Sequence, residues 1–450
     1  MTELVPFIGT RYNSRLIEDM KMVIGPYGDA MCPETRKKIC LQHPYNIMHI
    51  IPAWDKEEGE EYNNSYLRAG NIIQKWHRDG ILVNDNHKCL YLYEQIFSKP
   101  INGCKSRRGI YALTNVHSQK PKKLFLQGTT PYSNKSCHLK LLRATKCNFA
   151  PLSLLFHDPQ DEFDRVLREI TASKPWEEFQ DAEQNTHRLW VLNKKEIISQ
   201  ITLFFHDKET FVVEGHDRFE IALQYSREQR EATGKTDGLQ PFDHILVFLS
   251  RFEEGCLTTK PIHRVLSSEL GSGTDIPEIL DDLSESFTIK PIKVNLKNTS
   301  TATIKILQTI AEKDKKEPTL AMVLRDGRAF TLSLKPKITI SDLYDEEIEL
   351  SNPGQNLHVN ILYHHIIRQI WIGNPELELE EEDVQYFDDA EAALKKIVQR
   401  KASAAFLLNP CPMKQITDVV DSGDMIPPFA VRLHPPLPTG LVIRDISIRH

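Results

Sequence analysis

Residues 212–228 read VVEGHDRFEIALQYSRE: a β-branched pair, a glycine, then His216, Asp217 and Arg218, then a helical pattern. The first turn of a helix presents unpaired N–H groups and a partial positive charge, which suits a bound phosphate. His216 and Arg218 could hold phosphate oxygens, Gly215 gives the backbone room to approach, and Glu214 or Asp217 could take a proton. The same residues also fit an ordinary junction, with the acids stabilising the helix dipole and Arg218 paired to one of them. Other groups that could reach an anion are Arg108 at a strand start, His263 and Arg264 in KPIHRVL, and Lys135, His138, Arg143, Lys146 and Asn148, which crowd NKSCHLKLLRATKCNF. Each of these also reads as an ordinary solvated charged or polar group. There is no G-x-x-x-x-G-K-[ST], no G-x-G-x-x-G and no H-E-x-x-H, and GSGT at 271–274 lacks a P-loop lysine. His364 and His365 are adjacent, so they do not share a helix face.

Positioning such groups takes regular elements, and the apolar periodicity supplies them. Residues 62–80 carry Tyr66, Leu67, Ile72, Ile73 and Trp76 near one helical face, and 161–170 repeat Phe163, Val166, Leu167 and Ile170 at helical spacing. The runs 88–97 and 107–113 predict paired strands around a turn at Asn102-Gly103. Strand 187–192, helix 194–205, strand ETFVVEG and helix 217–232, closed by Gly234, follow in order. HILVFLSRF (244–252) reads as a buried strand, and Pro277 opens a helix. TLAMVLRDGRAFTLSLK predicts a hairpin with a type I′ turn at Asp326-Gly327. Helix 389–400 and strand 403–408 precede a proline-containing tail. The acidic run 375–384 reads as a solvated edge. Strands alternating with helices mean α+β or α/β. A shift to small polar residues places a boundary near 285, giving a 1–285 core region and a smaller α/β region over 286–450.

The chain has 450 residues, 40% hydrophobic and 26% charged, with 56 basic and 62 acidic groups and a net charge of −6. That balance advertises no nucleic-acid or anionic-membrane partner. The eight cysteines are scattered without C-x-x-C spacing, and are expected to be reduced thiols in a cytoplasmic protein. The start MTELVPFIGTRYN reads as no signal peptide, and no apolar run approaches the ~18–20 residues of a membrane span.

With those residues in hand, the chain resembles a prokaryotic domain-of-unknown-function family, number 1015, over nearly its whole length. The matching stretches include PFIGTRYN, HPYNIMHI, YLYEQIF, RRGIYAL, LLRATKCNFAPL, VVEGHDRFEIALQY, PIHRVL, DDAEAAL, AAFLLNP and TGLVI. The family's central D-G-H-H-R motif is similar to the nucleotide-handling motif of the ParB/sulfiredoxin-like fold, which includes free-serine kinases using ADP or ATP. That resemblance implies an α+β fold with a ParB/sulfiredoxin-like nucleotide-binding core. It also implies phosphate binding by Gly215, His216 and Arg218. Here the motif reads Glu214-Gly215-His216-Asp217-Arg218. The family's P-P-Y-D reads Gly25-Pro26-Tyr27-Gly28, its His-Glu pair reads Gln127-Gly128, and its P-P-K-S-T reads Pro427-Pro428-Phe429-Ala430-Val431. The substituted groups are mostly those that do chemistry, while Arg108, Lys135, Arg143, Asn148, His216, Arg218, His263 and Arg264 survive.

The function expected is therefore a nucleotide-binding, kinase-like protein of the free-serine kinase type, acting on a small hydroxyl substrate such as serine or catalytically degenerate. ATP or ADP with Mg²⁺ is the expected cofactor, Glu214 and Asp217 are the candidate catalytic carboxylates, and a homodimer is compatible. The alternative is a non-catalytic nucleotide sensor on the same fold. A DNA-binding regulator, by analogy to ParB, is opposed by the acidic net charge and the lack of a helix-turn-helix signal.

Overall fold

The computed structural model describes residues 3–25, 33–51, 60–117, 132–252, 255–270, 275–314, 317–344, 348, 350–374, 379, 383–424, 427 and 430–448. They form a mixed α+β chain that divides into two compact units. The first comprises Met1–Pro121, Ser133–Leu257 and Pro435–His450; the second comprises Lys122–Tyr132 and Thr258–His434. The division thus falls between Leu257 and Thr258 rather than near 285. Residues 258–285 belong to the second unit because strand His263–Ser267 pairs inside its sheet. The tail returns to the first unit because strand Ile443–Asp445 pairs there on both sides.

The first unit carries strands β1 (Gly9–Tyr12), β2 (Leu82–Asn84), β3 (Leu90–Ile101), β4 (Cys104–Asn115), β5 (Cys147–Asn148), β6 (Leu152–Phe156), β7 (Glu177–Gln180), β8 (Thr186–Leu192), β9 (Thr210–Glu214) and β10 (His244–Arg251). Its helices are α1 (Pro33–Cys40), α2 (Glu60–Arg78), α3 (Tyr132–Thr145), α4 (Glu162–Thr171), α5 (Lys195–His206) and α6 (His216–Thr233). Seven strands form a sheet in the order β7-β8-β3-β4-β10-β6-β9, in which β10 and β6 run parallel and the other neighbours antiparallel. The remaining strands make a small sheet, β2, β1, Ile443–Asp445 and β5.

Sequence pattern explains these elements one by one. All eight residues of β10 are buried, which is why its sequence shows an unbroken apolar run instead of alternation. Asn102 and Gly103 both have positive φ, 49° and 82°, as the two-residue hairpin between β3 and β4 requires. On α4 the residues buried are Phe163, Leu167 and Ile170, the periodic stripe. Phe163 packs against Phe156 of β6 at a ring separation of 5.2 Å, and Phe205 of α5 packs there at 4.8 Å. A second set of buried rings, Tyr91, Tyr93, Tyr111 and Phe248, joins the sheet to Trp76 of α2 in one cluster.

Two sequence expectations are corrected. Cys104 and Cys256 are joined by a disulfide, with Cα atoms 5.1 Å apart and 152 positions between them in sequence. The reduced-thiol reading therefore fails for this pair, which folding brings together with no spacing motif to announce it. Among the described residues, Cys40, Cys89, Cys147 and Cys411 are free thiols. The second correction is in the second unit, whose six-stranded sheet runs Phe287–Ile292, Ala329–Leu334, Thr319–Leu324, Ala402–Leu407, His263–Ser267, Val384–Phe387. Its 319–334 hairpin does not turn through a type I′ turn, which needs positive φ at both central residues. Gly327 alone is left-handed there, at 89°, and its N–H donates to the Leu324 carbonyl at 2.9 Å. Among the described residues, no helix is long and apolar enough to cross a membrane.

Candidate functional site

The junction at 210–218 forms as its sequence requires. β9 ends at Glu214, Gly215 takes a left-handed φ of 94° and is the N-cap residue, and α6 begins at His216. The glycine is needed twice. Its φ disfavours side chains, and an added Cβ would lie 3.1 Å from Arg218 Nη1 and 3.3 Å from Leu152 Cδ1. Arg218 thus folds back over the glycine and donates to the Pro151 carbonyl at 3.0 Å.

Beside this helix start lies a cavity of about 90 Å³, wholly within the first unit. Two helices line it by the same rule. His138, Leu141 and Leu142 of α3 recur at i, i+3 and i+4, and Arg218 and Ile221 of α6 recur at i and i+3. Met48, Phe149 and Ile245 add apolar wall; Asn148 and Thr439 add polar groups. Asp217 stands behind His138, its Oδ2 3.2 Å from the imidazole Nδ1, both side chains largely buried. An imidazole facing a cavity with a carboxylate at its back is an arrangement that can accept or deliver a proton. Asn148 is itself anchored, its Oδ1 accepting from Arg444 Nη1 at 3.2 Å.

The expected site residues therefore separate. Asn148 and Arg218 line this cavity, while Gly215 precedes α6 and Asp217 stands behind His138 without lining it. Glu214 ends β9 opposite Ser153 and is not among the lining residues. Arg108 donates to Glu94 at 2.7 Å and lies 3.5 Å from Asp164. Arg143 makes a two-pronged contact with Glu228, at 3.0 and 2.6 Å. Those two arginines were expected to serve an anion; each instead meets carboxylates of its own unit. His263 and Arg264 are buried in the second unit's sheet. His263 Nδ1 accepts from the Leu408 N–H at 3.2 Å, and Arg264 lies 4.8 Å over the Tyr386 ring and donates to the Ile262 carbonyl. The side chain of Lys135 lies outside the described residues. In sequence His138 stands out only as a member of the crowded basic segment before Asn148, with nothing to mark its pairing with Asp217. Among the described residues, no group of three or more His, Cys, Asp or Glu could hold a metal ion.

His216 is the first residue of α6. Burial pushes its imidazole down to about 4, against the opposing pull of Asp217 and of its bond to the Val212 backbone. At neutral pH it is uncharged. Between pH 6.5 and about 4 the unfolded chain binds a proton at this ring that the folded chain does not, so stability falls as pH falls through that window. At ~1.36 kcal/mol per unit, the loss between pH 7 and 4.5 comes to about 2–3 kcal/mol. Urea unfolding at both pH values should show wild type losing that much more than His216→Gln; equal losses would refute the assignment.

Comparison with known families gives one match. The model of a family described as "Protein of unknown function (DUF1015)" covers residues 4–359. No curated protein and no solved structure gives a significant match.

Proposed function

The chain belongs to the DUF1015 family, and from that premise we propose that its first unit is a nucleotide-binding, kinase-like module holding phosphate at the β9–α6 junction. The fold reading that goes with it is a ParB/sulfiredoxin-like core. The observation that carries the proposal is the start of α6, whose N-cap residue is the glycine Gly215, with Arg218 lining the adjoining cavity. A helix start attracts anions through its N–H groups and dipole, and a guanidinium adds charge-assisted bonds. Arg218 Nη1 donates to the Pro151 carbonyl, which holds the guanidinium beside the helix start. With His216 neutral, the charge offered to a phosphate would come from Arg218.

The nucleotide would be ATP or ADP, with Mg²⁺ brought in on its phosphates, since such sites commonly hold that ion through phosphate oxygens and water. The acceptor would be a small hydroxyl compound, serine being the family-level expectation. Phosphoryl transfer asks chiefly for positioning and charge neutralisation. Of the two candidate carboxylates, Asp217 acts through His138, and Glu214 stays outside the cavity lining. A non-catalytic nucleotide sensor is the second reading, favoured by the neutral His216 and by substitution of the family's acids and lysine. Product formation from an added acceptor separates the two.

Isothermal titration with ADP and ATP in Mg²⁺ tests the common premise. An arginine–phosphate contact contributes about 1.5–3 kcal/mol. Arg218→Ala should therefore weaken nucleotide binding roughly 10- to 150-fold. Absence of heat with wild type would remove the nucleotide reading altogether.

A further inference from the structure

The cavity beside α6 is modest in volume, about 90 Å³, and its mostly apolar lining restricts what it can hold. Its walls, including Leu141, Leu142, Phe149 and Ile221, suit a hydrocarbon body, and a zwitterion such as free serine would lose hydration there without replacement. Polar groups are few: Arg218, His138 backed by Asp217, Asn148 and Thr439. Mostly apolar pockets with a few placed polar groups are the usual design for orienting a small ligand.

We infer that this cavity binds a short aliphatic hydroxy acid, with its hydrocarbon chain between α3 and α6, its carboxylate on Arg218 and its hydroxyl on His138. The carboxylate of Asp217, 3.2 Å from Nδ1, favours the proton on that nitrogen, which leaves Nε2 to accept the hydroxyl hydrogen. The inference departs from the kinase-like reading at one point, since it gives Arg218 to the acid's carboxylate rather than to a phosphate, and binding of the acid requires no nucleotide.

Titration calorimetry without nucleotide decides it, using 2-hydroxyisocaproate, isocaproate and L-serine as probes. The hydroxy acid should bind at least about tenfold tighter than serine, which lacks the hydrocarbon body, and about fivefold or more tighter than isocaproate, which lacks the hydroxyl. In His138→Gln the advantage over isocaproate should shrink, because Gln cannot reproduce the Asp217-oriented ring. In Arg218→Ala both acids should weaken at least about tenfold, the loss expected of one charge-assisted contact. Equal binding of the two acids by wild type, serine binding as tightly as the hydroxy acid, or no heat from any probe would each overturn the inference. The wild-type panel decides even if a variant fails to fold. If ADP or ATP binds while the hydroxy acid does not, the inference falls and the nucleotide reading stands; the reverse result separates them the other way.

Discussion

Replacing Arg444 with Met is expected to destabilise the first unit by about 3–5 kcal/mol, near the lower end of what three buried acceptors would lose at ~1–3 kcal/mol each. Arg444 has no exposed surface, and it lies in the strand Ile443–Asp445 between β1 and β5. Its Nη1 donates to the His244 carbonyl at 2.5 Å and to Asn148 Oδ1 at 3.2 Å, and Nη2 donates to the Pro241 carbonyl. Burial lowers its pKa to about 9, with Asp445 pulling the other way. Met fills much of the volume but supplies no donor, so two carbonyls and an amide oxygen lose a partner inside the unit. The damage should extend to the cavity, because Asn148 loses the contact that fixes its side chain. Urea unfolding and titration of the same preparation would read both effects. A stability change under about 1 kcal/mol, the range of a solvated surface charge, would show that this network does not hold the tail.

How much of this was legible in the sequence depended on whether a feature was local. The strand, Gly215 and α6 were readable because periodicity changes from alternating to helical across one glycine. The β3–β4 hairpin was readable because Asn-Gly supplies two positive φ angles. Arg444 was not: a three-residue strand among prolines has no period, and its acceptors lie some 200 positions earlier. The basic residues failed for a related reason. A sequence shows that Arg143 is positive but not that Glu228, 85 positions away, meets it. His138 and Asp217 pair across a comparable gap, so a carboxylate read as a free base stands instead behind an imidazole. The turn at 324–328 failed locally, because Asp-Gly fits more than one turn type and the strand register, Val323 opposite Ala329, selects a longer loop.

Reduction of the Cys104–Cys256 bond is expected to lower the stability of the first unit by roughly 2–5 kcal/mol. The upper figure follows from chain entropy for a closed loop of 152 residues, and the lower one is nearer what native disulfides commonly deliver. Cys104 starts β4, at the end of the long β3–β4 hairpin, and Cys256 immediately precedes Leu257, the last residue of this part of the unit. The bond therefore ties the hairpin to the segment that leaves the unit. Alkylation of the unfolded, unreduced protein should leave Cys104 and Cys256 unlabelled while the free thiols react. Thermal unfolding with and without reductant, and of Cys104→Ser, should then give matching decreases. Labelling of both cysteines, or an unchanged midpoint on reduction, would contradict the bond as a stabilising element. Because a cross-link of this kind acts mainly by restricting the unfolded chain, it should alter stability without altering the folded site. Ligand binding beside α6, measured well below the unfolding midpoint, should accordingly be the same in oxidised and reduced protein.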